Sequence, residues 1–299
     1  MCIGKSVPVY SLPYTMNHMV RLCRNKILRW LFYLLIVIGV LYAILFITFQ
    51  PSHDRDWELG HEALPHILYS ATSSDITIEN YRNFNWTEVK SADVNYETMS
   101  FDLDKMTGVD VFISHFDDFE GLAHIFLSFG FDDGKHAVIS LETRRESDEA
   151  FSPLKGILRQ YEIIYVVGSE EDIVGVRTGY RGERVYLYPT KATPEQAREL
   201  FNLIAIEIND VYESPRMYNT LTHNCTNELT RPVEKMSTVN FPITWKTIMP
   251  GYFDEVLYEL KLIDAEKTFA EVKDAHLVDN GKVDVASDTY SQDLRASLE

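Results

Sequence analysis

From Trp30 to Phe49 the chain runs for twenty residues without a charged side chain. At a rise of about 1.5 Å per residue, a helix of that length covers the roughly 30 Å hydrocarbon layer of a bilayer. The flanks orient it: the first 29 residues carry Lys5, Arg21, Arg24, Lys26 and Arg29 and no acid, whereas Asp54, Asp56, Glu58 and Glu62 follow the run. Basic residues stay on the cytoplasmic side, so the C-terminal part is expected to be exported. A cleaved signal peptide is the competing reading, but its apolar core is usually about 7 to 15 residues and ends in a small-residue site. This run is longer and leaves through Phe46-Ile47-Thr48-Phe49-Gln50-Pro51, so an anchor is expected. The expected organisation is a cytoplasmic basic segment (1–29), a transmembrane anchor (30–49) in contact with bilayer lipid and a linker (50–70). An exported domain (71–265) and a polar C-terminal extension (266–299) follow.

Setting aside the five basic residues before the anchor leaves 23 Lys plus Arg against 45 Asp plus Glu, a net charge of −22 for the exported part. Nucleic-acid binding rests on neutralising phosphates, and so does attraction to an anionic membrane surface; both are disfavoured as ligands. About 250 residues is ample for one core with appendages. Of the cysteines, Cys2 and Cys23 fall on the cytoplasmic side, which leaves Cys225 as the only exported thiol. In an oxidising compartment a lone thiol is buried and inert, paired between chains, or kept for its reactivity.

Strand-like runs lie at Ile76–Tyr81, Glu97–Leu103, Val109–Ser114, Ile125–Phe131, Ala137–Leu141, Tyr161–Val167 and Val185–Tyr188. The character changes at Thr193-Pro194-Glu195-Gln196, which supplies a capping threonine, a proline at the first helical position and a glutamine at the third. Ala197, Leu200, Phe201, Ile204, Ile208 and Val211 then recur at steps of three and four, predicting an amphipathic helix to about Tyr212. A second helix is expected from Asn224-Cys225, ending before Pro232, and a third from about Tyr252 to Leu260. The polar residues 266–299 are weakly periodic. Strands first and helices later indicate an α+β domain with a mainly antiparallel sheet.

Cys225 follows a good capping residue, so its thiol would sit in the first turn of a helix, where the partial positive charge favours thiolate. A nucleophilic cysteine also needs a base, usually a histidine held by a third polar group. Of the exported histidines, His124 and His136 flank the clearest hairpin, Ala123–Glu142. Its turn, Phe131-Asp132-Asp133-Gly134-Lys135, suits a three-residue loop with Gly134 left-handed. In that register positions summing to 266 face each other, which places Glu142 opposite His124, on one face and in contact. A loop one residue shorter or longer would send Glu142 to the other face. Arg144, Arg145 and Arg177 stand out in so acidic a domain. Arg144 and Arg145, with Asn224, are the candidate substrate contacts; surface ion pairing is the alternative. No glycine-rich phosphate loop, paired-histidine zinc spacing or serine nucleophile elbow occurs, and a single exported cysteine excludes a thiolate metal cluster, so neither a metal nor another cofactor is expected.

Three strings give the chain a resemblance: Ala123-His124-Ile125-Phe126-Leu127-Ser128-Phe129-Gly130-Phe131, Ile139-Ser140-Leu141-Glu142-Thr143-Arg144-Arg145-Glu146, and Tyr218-Asn219-Thr220-Leu221-Thr222-His223-Asn224-Cys225-Thr226. With Arg82-Asn83-Phe84 and Pro250-Gly251-Tyr252 they resemble the bacterial family called the Lnb N-terminal periplasmic domain, over roughly residues 70 to 265. That resemblance implies a Gram-negative envelope protein, single-pass in the inner membrane with its C-terminal domain in the periplasm. More distantly, the order of a strand histidine, a polar residue on the next strand and a later cysteine opening a helix resembles the permuted papain-like thiol enzymes, NlpC-type amidases among them. The expected function is a thiol hydrolase or acyl transferase in which Cys225 attacks, His124 moves the proton and Glu142 orients His124. The alternative is a non-catalytic envelope binding or structural module with the same fold.

Overall fold

The computed structural model describes residues 14–220, 222–278, 283–287 and 289–298, with side chains from Lys26 onward. Lys5 and Cys2, in the expected basic segment, lie outside the described residues. The chain divides into two units, Met1–Gln50 and Pro51–Glu299. Among its described residues the first holds one helix, α1 (Tyr14–Thr48), whose stretch Lys26–Thr48 is 23 residues long and apolar enough to cross a membrane. None of that stretch is buried against protein; at the helical rise it is about 35 Å long. It ends one residue before the expected span does.

The second unit is built on strands β1 (His66–Tyr69), β2 (Asp75–Arg82), β3 (Asn85–Glu88), β4 (Ser91–Asp93), β5 (Tyr96–Asp102), β6 (Met106–His115), β7 (Ala123–Phe131), β8 (His136–Arg144), β9 (Glu162–Gly168) and β10 (Arg184–Pro189). Eight of them form one sheet in the order β1-β2-β9-β8-β7-β6-β10, with β5 also on β2, while β3 and β4 make a separate pair. All pairings are antiparallel except β2 with β9, which meet at Arg82 and Gly168. A Cβ on Gly168 would come within 2.2 Å of the Arg82 carbonyl oxygen, so that close approach admits only glycine. The β7–β8 turn is the expected three-residue loop. Gly134 has φ +81°, its N–H donates to the Phe131 carbonyl at 3.0 Å, and Leu127 pairs with Ile139 as Gly130 does with His136.

The helices are α2 (Pro153–Ile157), α3 (Glu170–Ile173), α4 (Pro194–Glu213), α5 (Cys225–Met236), α6 (Trp245–Ile248), α7 (Phe253–Glu259), α8 (Phe269–Ala275) and α9 (Tyr290–Ala296). α4 opens on the predicted capping box: Thr193 accepts from the Gln196 N–H and Gln196 accepts from the Thr193 N–H. Its apolar stripe, Ala197, Leu200, Phe201, Ile204 and Ile208, packs with Val111, Ile113, Leu127 and Phe129 in the main core. The other sheet face carries Phe112, Phe126, Val138, Ile164 and Val185 and is covered by Val278, Val283, Tyr290 and Leu294. The arrangement is thus α+β, with a mainly antiparallel sheet covered on both faces.

Three stretches differ from expectation for local reasons. Residues 50–70, expected as a linker, bury Trp57 and His61 and supply β1. Residues 266–299, expected as a polar extension, place enough apolar side chains inward to close the second core. Pro232 does not end α5, which runs on to Met236 because Val233 and Met236 keep packing against the main core beyond it.

Candidate active site

His124 and Glu142 stand on the same sheet face, with Nε2 of His124 3.2 Å from Oε1 of Glu142. Ser140, two residues before Glu142 and therefore on its face, comes nearer: His124 Nε2 is 2.7 Å from Ser140 Oγ, and the Ser140 hydroxyl donates to Glu142 Oε1 at 2.8 Å. Since the serine proton goes to the carboxylate, His124 Nε2 is the donor to both oxygens. The same Glu142 oxygen accepts from Arg177 Nη2 at 2.8 Å, and the Arg177 guanidinium lies 4.8 Å over the Phe126 ring.

With Nε2 engaged, the Cys225 sulfur acts on His124 electrostatically, and the Ile125 N–H favours its thiolate. The topology makes room for it. The β7–β8 register ends at Leu127 and Ile139, so the Ile125 N–H is available to the sulfur rather than to the ladder. Cys225 is the first residue of α5, and the Asn224 side chain caps that helix by accepting from the Asn227 N–H at 2.8 Å. It is a buried free thiol.

Burial opposes charge on every member of this group, and the partners overcome it. Desolvation would lower the His124 pKa, but Glu142 and the Cys225 sulfur raise it from 6.5 to about 9. Desolvation would raise the Cys225 thiol, but His124, with the Ile125 N–H, brings it below its ordinary value. Glu142 is held well below the usual carboxylate range by His124 and Arg177, against its burial. Opposite shifts in neighbouring groups favour a thiolate–imidazolium pair at neutral pH.

The group lies in a cleft of about 620 Å³ that is also lined by Glu58, Arg145, Glu183, Tyr218 and Asn224. A smaller cavity of about 250 Å³ beneath Leu229 and Val233 is apolar and contains none of these groups, so the larger cleft is the candidate site. Among the described residues, no three His, Cys, Asp or Glu side chains gather as a metal site would need.

Of the expected substrate contacts, Asn224 and Arg145 border the cleft, Arg145 being paired with Glu58 at 2.6 Å. Arg144 does not. It is buried, stacks at 4.0 Å over Trp57, and donates to the carbonyls of His61 (2.9 Å) and Glu62 (3.1 Å), so it ties the entering chain to the sheet. Arg82 likewise serves the fold, gripping Asp172 through Nε (2.8 Å) and Nη2 (2.9 Å). Sequence reasoning gave Ser140 and Tyr218 no role. Period-two alternation with Glu142 was the available signal for Ser140.

The model of one protein family, the Lnb N-terminal periplasmic domain, matches residues 92–251. That span includes His124, Ser140, Glu142, Arg177, Tyr218 and Cys225, and begins after Arg82-Asn83-Phe84. No curated protein and no solved structure gives a significant match.

Proposed function

The chain belongs to the Lnb N-terminal periplasmic domain family, and from that premise we propose that it is a membrane-anchored envelope enzyme that uses Cys225 as a nucleophile on an acyl group. The observation that carries the reading is an open cleft lined by both Cys225 and a His124 whose Nε2 is held by Ser140 and Glu142. In this reading the N-terminus lies in the cytoplasm and the cleft-bearing unit in the periplasm, which the basic residues before the apolar stretch support.

The Cys225 thiolate attacks the carbonyl carbon of an amide, ester or thioester, and the carbonyl electrons move to oxygen. The N–H of Cys225 at the start of α5 is one donor to that oxyanion. Collapse of the intermediate expels the amine, alkoxide or thiolate leaving group, which takes the proton from His124, and the acyl group remains on sulfur. His124, now neutral, accepts a proton from water or another acceptor as it attacks the thioester; deacylation restores the thiolate and charged histidine. Peptidoglycan stem peptides, envelope lipids and acylated proteins all present such carbonyls in the periplasm. The polar groups follow the order of permuted papain-like thiol enzymes, which supports this division of roles.

Iodoacetamide labelling of the folded chain tests the proposal. Cys225 should be alkylated rapidly near neutral pH, and His124→Ala should slow it at a temperature where that variant is still folded. Labelling of wild-type Cys225 only after denaturation would instead favour a non-catalytic binding or structural module.

A further inference from the structure

The connection between the apolar helix and the folded unit has almost no slack. α1 ends at Thr48, and by Ser52 the chain is already bound to the sheet, with the Ser52 N–H donating to Glu162 Oε1 at 2.7 Å. His53 Nε2 meets the Tyr212 carbonyl at 3.0 Å, Arg55 pairs with Glu146 at 2.9 Å, and Trp57 is buried. Four extended residues reach at most roughly 14 Å. The headgroup layer on each side of the hydrocarbon is only about 5 to 7 Å thick. The point where the chain enters this unit is therefore close to the bilayer surface.

That entry point lies at the cleft end of the sheet. Glu162, which holds Ser52, opens β9 and pairs with Arg144, the last residue of β8. His115 and Ala123, the end of β6 and the start of β7, pair at the same end. The loops leaving it, residues 116–122 and 145–161, border the cleft.

The rim there is apolar and open to solvent. Val89, Phe116, Phe119, Phe151 and Ile248 all line the cleft, yet each is between 38% and 56% exposed. Phe116 and Phe151 meet edge to face with centroids 6.0 Å apart. Leu154 lies next to the cleft-lining Pro153, and Trp245 stands one helical turn before Ile248 on α6; both are exposed. An exposed apolar cluster around a site entrance marks a surface that is covered in use.

We propose that this rim seats on the periplasmic surface of the bilayer that α1 spans, so that the cleft opens against the membrane. The exported part is too acidic to be drawn there by anionic headgroups. The contact therefore comes from Phe116, Phe119, Phe151, Ile248 and Trp245 entering the interfacial layer, where aromatic side chains are favoured. The short tether supplies a high local concentration, so the patch need not bind membranes strongly by itself. The inference concerns where the cleft faces and stands whether or not Cys225 reacts.

The test uses the full chain in phosphatidylcholine nanodiscs, in the Cys225→Ser background so that thiol chemistry has no bearing on the result. The fluorescence difference between this chain and its Trp245→Phe counterpart isolates Trp245 from Trp30, Trp57 and Trp86. Lipid brominated near the top of its acyl chains should reduce the Trp245 component by about half or more, as expected for a side chain within 5 to 10 Å of the acyl boundary. Aqueous acrylamide should reduce it little. Quenching by acrylamide without quenching by bromine would overturn the proposal. Quenching by neither would also overturn it, because protein rather than lipid would then cover the rim.

Discussion

Replacing Glu142 by glutamine keeps the shape of the site and removes one charge. At 3.2 Å from His124 Nε2, a unit charge in an effective dielectric near 20 is worth about 5 kcal/mol. That corresponds to somewhat under four pH units at 1.36 kcal/mol per unit. His124 is raised from 6.5 to about 9 because this attraction and Cys225 outweigh burial. Without it, and with the Arg177 guanidinium left facing a neutral amide, the His124 pKa should fall to the ordinary histidine value or below. A direct effect opposes this. Glu142 also raises the Cys225 pKa, and its removal eases thiolate formation, but that influence is smaller than that of His124. The net expectation is loss of the ion pair at pH 7. The assay is the second-order rate of Cys225 alkylation by iodoacetamide, followed by mass spectrometry across pH. Wild type should react readily at neutral pH, with a further change near pH 9 as His124 deprotonates. Glu142→Gln should react about tenfold more slowly at pH 7, with its midpoint moved toward that of an ordinary thiol. Stability gives an independent sign. Raised His124 contributes stability that is full below 6.5 and lost as pH rises through about 9. Lowered Cys225 contributes stability that is full above 9.0 and lost as pH falls through its folded value. Between 6.5 and 9 the two trends oppose each other, so wild-type Tm should change less with pH there than either group alone would make it. Coincident alkylation profiles for wild type and Glu142→Gln would refute the reasoning.

Arg144→Met should cost roughly 3 kcal/mol, because the His61 and Glu62 carbonyls lose a buried donor and Trp57 its cation. Thermal melts would read this as a Tm lower by about 10 °C, with Cys225 labelling of the folded protein kept; an unchanged Tm would contradict the tying role. Alkaline phosphatase fused after residue 60 should be active and a cytoplasmic reporter there silent, and the reverse would sink the orientation.

What was legible in the sequence is what short-range chemistry determines. The need for a left-handed residue at Gly134 sets the hairpin register, and the register alone brings Glu142, eight positions beyond Gly134, to His124. The Thr193 cap and the Asn224 cap are equally local, and the second places Cys225 at a helix start. What was not legible depends on distant partners. Arg144 shares a face with Glu142, and nothing nearby in sequence says that Trp57 will cover it. The apolar residues of the tail are too few and too irregularly spaced to predict a core, and they become one only because Phe112, Phe126 and Val138 leave the second face uncovered.

That second face bears on the chemistry through Arg177. Its guanidinium holds Glu142, and the next residue, Thr178, meets Tyr290 of α9 with their hydroxyls 3.0 Å apart. α9 is secured in turn by Arg295, whose Nη2 reaches Asp110 at 2.6 Å and Glu170 at 2.9 Å. Glu170 starts α3, and the turn that presents Arg177 follows it. The carboxylate end of the relay is therefore buttressed from the tail side of the sheet. The thiol arrives from the other side, on α5, whose Leu229 and Val233 pack against the main core. His124 stands between the two, on a strand whose ladder to β8 has already opened. Neither layer alone assembles the group: the first without the second has a thiol beside a histidine whose carboxylate has lost Arg177, and the second without the first has a charged histidine with no nucleophile.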